Sequence, residues 1–386
     1  MVEDAKKEEK KEVILTRPVG LEGESNNVDY KAPNLLQRVF SLLSNVSPGA
    51  DLTRFQLPPL FNLPKSHLQC YGESVYCVNK DMLTKCVKGE TAVERMIAVV
   101  AWTVSTLRPL MFGVVPYNPI LGETHHASKS TLNVLLEQVS HHPPVSALHA
   151  TDDTNQIELL WCQYAVPKFY GAKVETVVHG KRKLNLVQRG ESYVMNSPKL
   201  LIRLLPKPGV DWVGNVKIMC EETCLEAELS YKSASFFGFG GSNRIVKGKI
   251  IDSSSSNTLY EITGHWDRTV HIKDTTDGKT KVLYDAKDVI SDLPTPTLKD
   301  PEGVWPSESA VVWAELSKAI LSKDWDKARE AKLAVEEKER ELLRQRKSMA
   351  ENWVPKHFDL CYSIENGWEC SPKQKTVPPA PIVFST

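Results

Sequence analysis

Between about residue 131 and residue 285, candidate strands follow one another with no helical pattern between them. Lys173–Val178, Lys183–Val187 and Leu225–Tyr231 alternate apolar and polar side chains at the two-residue period of a half-buried strand. His179-Gly180 and Asp277-Gly278 sit where hairpin turns are expected, and the serine run Ser253–Ser256 reads as a loop tip. A parallel sheet needs a helix or other long crossover between strands, so this ordering predicts an antiparallel meander. So many consecutive strands must pack as a sandwich or close into a barrel, and a wide barrel can enclose a ligand.

Helical patterns flank this β region. In Asn34–Val46, Leu35, Leu36, Val39, Phe40, Leu42, Leu43 and Val46 form one apolar stripe, with Pro33-Asn34 as a start and Pro48-Gly49 as a stop. Such a helix can pack permanently on the domain. It can also act as a lid that covers a ligand mouth and lies on a bilayer surface. Thr91 and Glu94 form a capping box ahead of the apolar run Met96–Leu107, which predicts a helix within 90–107. Helical spacing returns at 309–351. The expected organisation is a disordered, charge-rich tail (1–30), an amphipathic lid (31–50), one domain (51–370) and a flexible proline-rich tail (371–386).

Formal net charge is +0 and aromatic residues are not interleaved with a basic stripe, which argues against nucleic acid as a partner. The N-terminal run MVEDAKKEEKKEV has no apolar core and is not a secretory signal. Met96–Leu121 carries only Arg108 as a charge, but Pro109, Gly113, Pro116 and Pro119 break it. It predicts a buried helix and an irregular loop instead of a membrane span. Eight scattered cysteines without a CxxC pair read as reduced thiols. The expectation is a cytoplasmic protein that touches membranes peripherally. Gly278-Lys279-Thr280 lacks the upstream glycine of a phosphate loop, and FGFGGSN (Phe237–Asn243) lacks the last glycine of a dinucleotide fingerprint. No nucleophile or metal set stands at a recognisable spacing, so neither enzyme activity nor a metal or other cofactor is expected.

The chemistry concentrates in EQVSHHPPVS (Glu137–Ser146). Each proline fixes its own φ and drives its predecessor towards extended backbone, so His141 and His142 stand on a stiff platform. Imidazoles titrate near neutrality, and the pair can become cationic when an anion arrives. Lys332, Glu336 and Arg340, spaced i, i+4, i+8, share one helical face. Taken alone, a His-His pair is commonly plain surface polarity, and such charges commonly make a solvated helix face.

Four motifs in order change that reading: GADLTRFQLPPLFNLPKSHLQ (49–69), YNPILGE (117–123), EQVSHHPPVSA (137–147) and KLAVEEKER (332–340). Together they resemble the oxysterol-binding-protein-related family, in its short plant-type form of a lipid-binding domain alone. The resemblance implies a large antiparallel β-barrel enclosing a lipid tunnel, with an N-terminal helical lid and a C-terminal helical region. It implies a non-enzymatic carrier in which His141, His142, Asn118, Lys332, Glu336 and Arg340 grip the headgroup of phosphatidylinositol 4-phosphate. Leu35, Leu36, Val39, Phe40 and Leu43 would face the mouth as the lid. A sterol would compete for the same tunnel, allowing counter-exchange between membranes; some members carry phosphatidylserine instead. One departure stands out: the family commonly has lysine where this chain has Val115, and Arg108 is a candidate substitute. The alternatives are a phosphoinositide sensor or adaptor that binds without net transport, or a phosphatidylserine carrier. His357-Phe358-Asp359-Leu360 is similar to part of a motif read by endoplasmic-reticulum membrane adaptor proteins, which makes such an adaptor a candidate partner.

Overall fold

The alternating segments form strands in a computed structural model that describes residues 12–21, 33–233, 244–365 and 367–385. Asp277-Gly278 lies between β14 (Thr269–Asp274) and β15 (Thr280–Asp285), and Ser253–Ser256 lies between β12 (Ile245–Asp252) and β13 (Asn257–His265), as the sequence predicts. The remaining strands are β1 (Asn62–Ser66), β2 (Val115–Tyr117), β3 (Thr124–Lys129), β4 (Leu132–Gln138), β5 (Val145–Asp152), β6 (Ile157–Phe169), β7 (Lys173–Leu186), β8 (Glu191–Met195), β9 (Lys199–Arg203), β10 (Gly209–Cys220), β11 (Leu225–Lys232), β16 (Thr297–Leu298), β17 (Phe358–Ser363), β18 (Gly367–Pro372) and β19 (Ile382–Val383). The helices are α1 (Leu35–Leu43), α2 (His67–Tyr76), α3 (Met82–Lys88), α4 (Ala92–Ser105), α5 (Ala286–Ile290), α6 (Ser309–Val312), α7 (Ala314–Leu321) and α8 (Trp325–Ser348).

From β3 to β15 every strand pairs antiparallel with a neighbour in one large sheet. Its two ends share one core. Ala127 and Val134 from one end and Val270, Ile272 and Tyr284 from the other belong to a single buried cluster, so the sheet curls into a barrel around it. Helices α2 to α5 contribute Leu68, Met82, Met96, Trp102 and Ile290 to that cluster. The capping box at the start of α4 is made as read: Thr91 Oγ1 accepts from Glu94 N at 3.1 Å, and Glu94 Oε2 accepts from Thr91 N at 3.2 Å.

His179-Gly180 is not a turn. Both residues sit inside β7, which runs unbroken for 14 residues and pairs with β6 from Val174 to Leu186. Gly180 has φ 96°, and a Cβ there would lie 2.0 Å from the Cys162 carbonyl oxygen. The glycine serves a close approach within a strand, which imitates a turn signal in sequence.

Two expected loose ends are packed instead. In 371–385, β19 adds in parallel to β3, and Val377, Ile382 and Phe384 are buried, so this segment is part of the sheet and not a flexible tail. Residues 12–21 of the expected disordered tail also dock. Ile14 N donates to Ala310 O at 3.1 Å, Arg17 Nε donates to Leu293 O at 2.7 Å, and Lys65 Nζ donates to Arg17 O at 2.9 Å. The rest of the 1–30 tail and Phe237–Asn243 lie outside the described residues. Among those described, no helix is long and apolar enough to cross a membrane.

Candidate functional site

His141 and His142 stand at the tip between β4 and β5, where the tight return is braced from both sides. Val139 N donates to Val145 O at 3.0 Å, and Val145 N donates to Ser140 O at 3.0 Å. Gln138 ties the ends together: its Nε2 donates to Ser140 O at 2.9 Å and its Oε1 accepts from Ser146 Oγ at 2.6 Å. The imidazoles sit edge to face, with ring centroids 4.8 Å apart. Pro119 O lies 3.1 Å from His141 Nδ1. A carbonyl only accepts, so Nδ1 carries the proton and Nε2 is left for a ligand. Burial and the neighbouring His142 push His141 below the usual histidine range; burial and Arg54 push His142 down as well.

Pro119 belongs to the loop carrying Asn118, whose side chain is exposed. That loop is held by its neighbours. Gly122 N donates to Gln138 O, and Gln138 N donates to Glu123 O, each at 2.9 Å, which locks it against the end of β4. On its other side the buried Glu123 carboxylate accepts from Ser309 Oγ (2.6 Å), Trp313 Nε1 (2.8 Å) and Ile120 N (3.0 Å). Tyr117 lies 4.8 Å from Trp313, ring to ring, and its hydroxyl meets Ser317 Oγ at 3.0 Å. The last residue of YNPILGE is thus a fastener between the loop and α6–α7, not a ligand group.

From α8, Lys332 reaches back to β1 and the segment before it. Its Nζ donates to Leu57 O at 2.5 Å and Asn62 Oδ1 at 2.9 Å, and Asn62 Nδ2 donates to Val115 O at 3.3 Å. Burial lowers the Lys332 pKa, with Glu336 opposing that shift. Arg340 donates to Glu336 at 3.1 Å and to Glu337 at 3.0 Å. Two groups are therefore in direct contact, the imidazole pair and the Glu336–Arg340 pair. Among the described residues no hydrogen bond or ion pair joins the histidines to α8. The link is indirect: Lys332 to Asn62, Asn62 to Val115 of β2, and β2 on to Asn118, Pro119 and His141.

Arg108 does not substitute for the lysine absent at 115. It is buried, and its guanidinium donates to the carbonyls of Ser105, Glu73 and Cys77. Arg54, passed over in the sequence, is exposed and close enough to depress His142. Its signal was available, as the one arginine in the 49–69 motif.

The helix α1 lies over Phe61, Phe169, Val174 and Leu204, with Val39 buried and Leu35, Phe40 and Leu43 packed alongside. Leu36 departs from the expected inner face and is 42% exposed. Leu42 packs inward with the others.

The second histidine pair has a different fate. His125 is buried between Glu308 Oε1 (2.7 Å) and the Tyr76 hydroxyl (2.9 Å), and His126 stacks on Trp305. The adaptor reading of His357–Leu360 is corrected. Phe358 is 1% exposed in β17, packed with Val139, Val145 and Ala147, so it is not available as a linear motif. Glu137 secures this hairpin by accepting from Lys356 N (2.7 Å) and His357 N (2.8 Å).

The family model described as Oxysterol-binding protein matches residues 39–318. Oxysterol-binding protein-related protein 4B of Arabidopsis thaliana is 51% identical over 384 residues, covering 99% of this chain and 100% of that protein. Oxysterol-binding protein-related protein 5 of Homo sapiens is 30% identical over 348 residues, covering 88% of this chain and 39% of that protein. Two solved structures share the fold. The Osh1 ORD domain in complex with cholesterol has a TM-score of 0.75 at 22% identity, covering 93% of this chain and 90% of that one. The Osh3 ORD in complex with PI(4)P from Saccharomyces cerevisiae has a TM-score of 0.69 at 21% identity, covering 95% and 96%.

Proposed function

Because this chain belongs to the oxysterol-binding protein family, we propose that it is a non-enzymatic lipid carrier for phosphatidylinositol 4-phosphate and, in competition, a sterol. A lipid with about 20 buried carbons would cost more than about 10 kcal/mol to expose to water, at about 0.8 kcal/mol per CH₂. A carrier therefore needs a dry interior and a cover. The apolar core enclosed by the curled sheet supports the first, and α1 is the candidate for the second.

The observation that carries the reading is the bonded path from His141 through Pro119, the Asn118 loop and Asn62 to Lys332. It supports a headgroup site assembled from His141, His142, Asn118, Lys332, Glu336 and Arg340. Lys332 offers a compact charge and Arg340 a planar fork suited to phosphate, while Glu336 orients the fork. A phosphomonoester brings roughly −1.5 to −2 charge, enough to draw protons onto both imidazoles. Arg54 adds an exposed cation whose charge acts on His142. Two ligands in one interior exclude each other by mass action, which supplies the coupling for counter-exchange.

The test replaces His141 and His142 together by alanine and follows lipid removal from phosphatidylcholine vesicles. Extraction of phosphatidylinositol 4-phosphate is expected to vanish while cholesterol uptake survives. Unchanged phosphoinositide extraction refutes the headgroup assignment. Vesicle binding without any donor-to-acceptor transfer by the unaltered protein supports a sensor instead.

A further inference from the structure

The eight cysteines are scattered along the sequence, and the fold brings two of them together. Cys162 lies in β6 and Cys370 in β18. Strand alternation fixes which way each thiol points. On β6, Ile157, Leu159 and Trp161 belong to the core cluster inside the barrel, so Cys162 stands on the outer face. On β18, Glu369 and Ser371 are exposed, while Trp368 and Cys370 face the barrel. Phe358 and Leu360 of β17 complete that layer, which covers Cys162 together with Val139, Val145 and Ala147. Cys162 is 7% exposed beneath it, and Cys370 is half-buried at its margin.

The approach is close. Cα atoms of β18 come within 8 Å of β6. Cys370 Sγ donates to the Trp161 carbonyl at 3.6 Å, and that oxygen belongs to the peptide unit leading into Cys162. The two thiols also meet side chain to side chain. Disulfides span Cα separations of about 4.4–6.8 Å between facing Cβ atoms, so thiols in contact on two facing strands have the required arrangement. Cys361 shares the hairpin but not the site. It pairs across the strands with Glu369 on the exposed face.

We propose that Cys162 and Cys370 are an oxidation site, forming a reversible disulfide that fastens the C-terminal hairpin to the barrel wall, with a small-molecule disulfide such as glutathione disulfide as the oxidant. Cys370, the more accessible partner, gives up its proton and attacks one sulfur of glutathione disulfide, expelling one glutathione thiolate. Cys162 then loses its proton and attacks the Cys370 sulfur of the mixed disulfide, expelling the second glutathione. Two protein thiols are oxidised and one glutathione disulfide is reduced to two glutathiones.

The neighbouring Cys162 thiol and burial hold Cys370 well above the usual thiol range. Little thiolate is present at neutral pH, so the exchange is slow there and quickens as pH rises. The cross-link closes a loop that contains every strand from β7 to β17, and so restricts the unfolded chain strongly. It also pins the layer packed on Val139 and Val145, the residues at the base of the histidine tip. The inference does not depend on the lipid-carrier reading.

The test incubates the full chain with glutathione disulfide at about pH 8.5, the ordinary thiol pKa, and maps its peptides by mass spectrometry without reduction. A Cys162 peptide linked to the Cys370 peptide is expected, and dithiothreitol should separate them. The linked protein should unfold at a urea midpoint raised by about 0.5–1 M over the reduced protein. Cys162→Ala and Cys370→Ala are each expected to abolish both the link and the shift, leaving only glutathione adducts at the exposed Cys224 and Cys361. If neither variant folds, timed thiol labelling of the unaltered protein carries the test: Cys162 and Cys370 should lose reactivity together as the link appears. Absence of the linked peptide, a Cys370 that stops at its glutathione adduct or pairs with Cys361, or a link that leaves the midpoint unmoved overturns the proposal.

Discussion

Glu123→Ala is the most informative single change outside the headgroup residues. The carboxylate accepts from Ser309 Oγ, Trp313 Nε1 and Ile120 N. Ser309 can redirect its hydroxyl to Thr124 O, already 3.2 Å away. Among the described residues the Trp313 indole and the Ile120 amide have no second acceptor, so two donors are orphaned at about 1–3 kcal/mol each. Burial raises the Glu123 pKa, so removing the group recovers part of its desolvation. The net loss should fall near about 3 kcal/mol, with about 1–2 kcal/mol for Glu123→Gln, which keeps one acceptor and turns an amide donor towards the others. Urea unfolding at unchanged m-value measures both. Glu123→Ala should also depress phosphoinositide extraction under conditions where the variant remains folded, because Asn118 and the Pro119 carbonyl lose their fastening to α6–α7. A loss below about 1 kcal/mol, or unaltered extraction, refutes the fastener argument.

The imidazole pair carries a pH signature. Both pKa values lie below the usual histidine range in the free protein, and a bound phosphate dianion would raise them. Binding then takes up protons, so affinity should strengthen as pH falls from about 8 and level off near the phosphate's second pKa of about 6. A flat profile, or one retained after His141→Ala/His142→Ala, counts against the pair as the phosphate site. Phe384→Ala tests the docked C-terminal segment: the ring is 1% exposed, edge-on to Tyr76, and its loss should cost about 3–5 kcal/mol in thermal or urea unfolding, against under about 0.5 for a truly loose tail.

What could be read in advance was what short-range periodicity encodes. Alternation gave the strands of the meander, and the Thr91/Glu94 box gave the start of α4. His141-His142-Pro143-Pro144 gave a braced tip because proline acts locally on its neighbours. Long-range placement left weaker traces. Val377, Ile382 and Phe384 are isolated apolar residues among prolines, and nothing in their spacing says that β3 has a free edge for them. Gly180 carries the signal of a turn while serving a close backbone contact across β6 and β7. Arg108 and Arg54 are the same residue type; only the fold decides that one is buried on carbonyls and the other is exposed with its charge acting on His142.

The construction of α1 has a further consequence. It spans nine residues, Asn34 at its head supplies no side-chain cap, and neither end carries a charge that favours the helix dipole. Isolated helices shorter than about 12–15 residues are marginal in water, so its shape is borrowed from the greasy shelf beneath it. On the carrier reading, uncovering the mouth is then an unwinding as much as a swing, and a bilayer that offers a replacement shelf lets the segment recoil there. Cargo release would be timed by the surface the protein lands on.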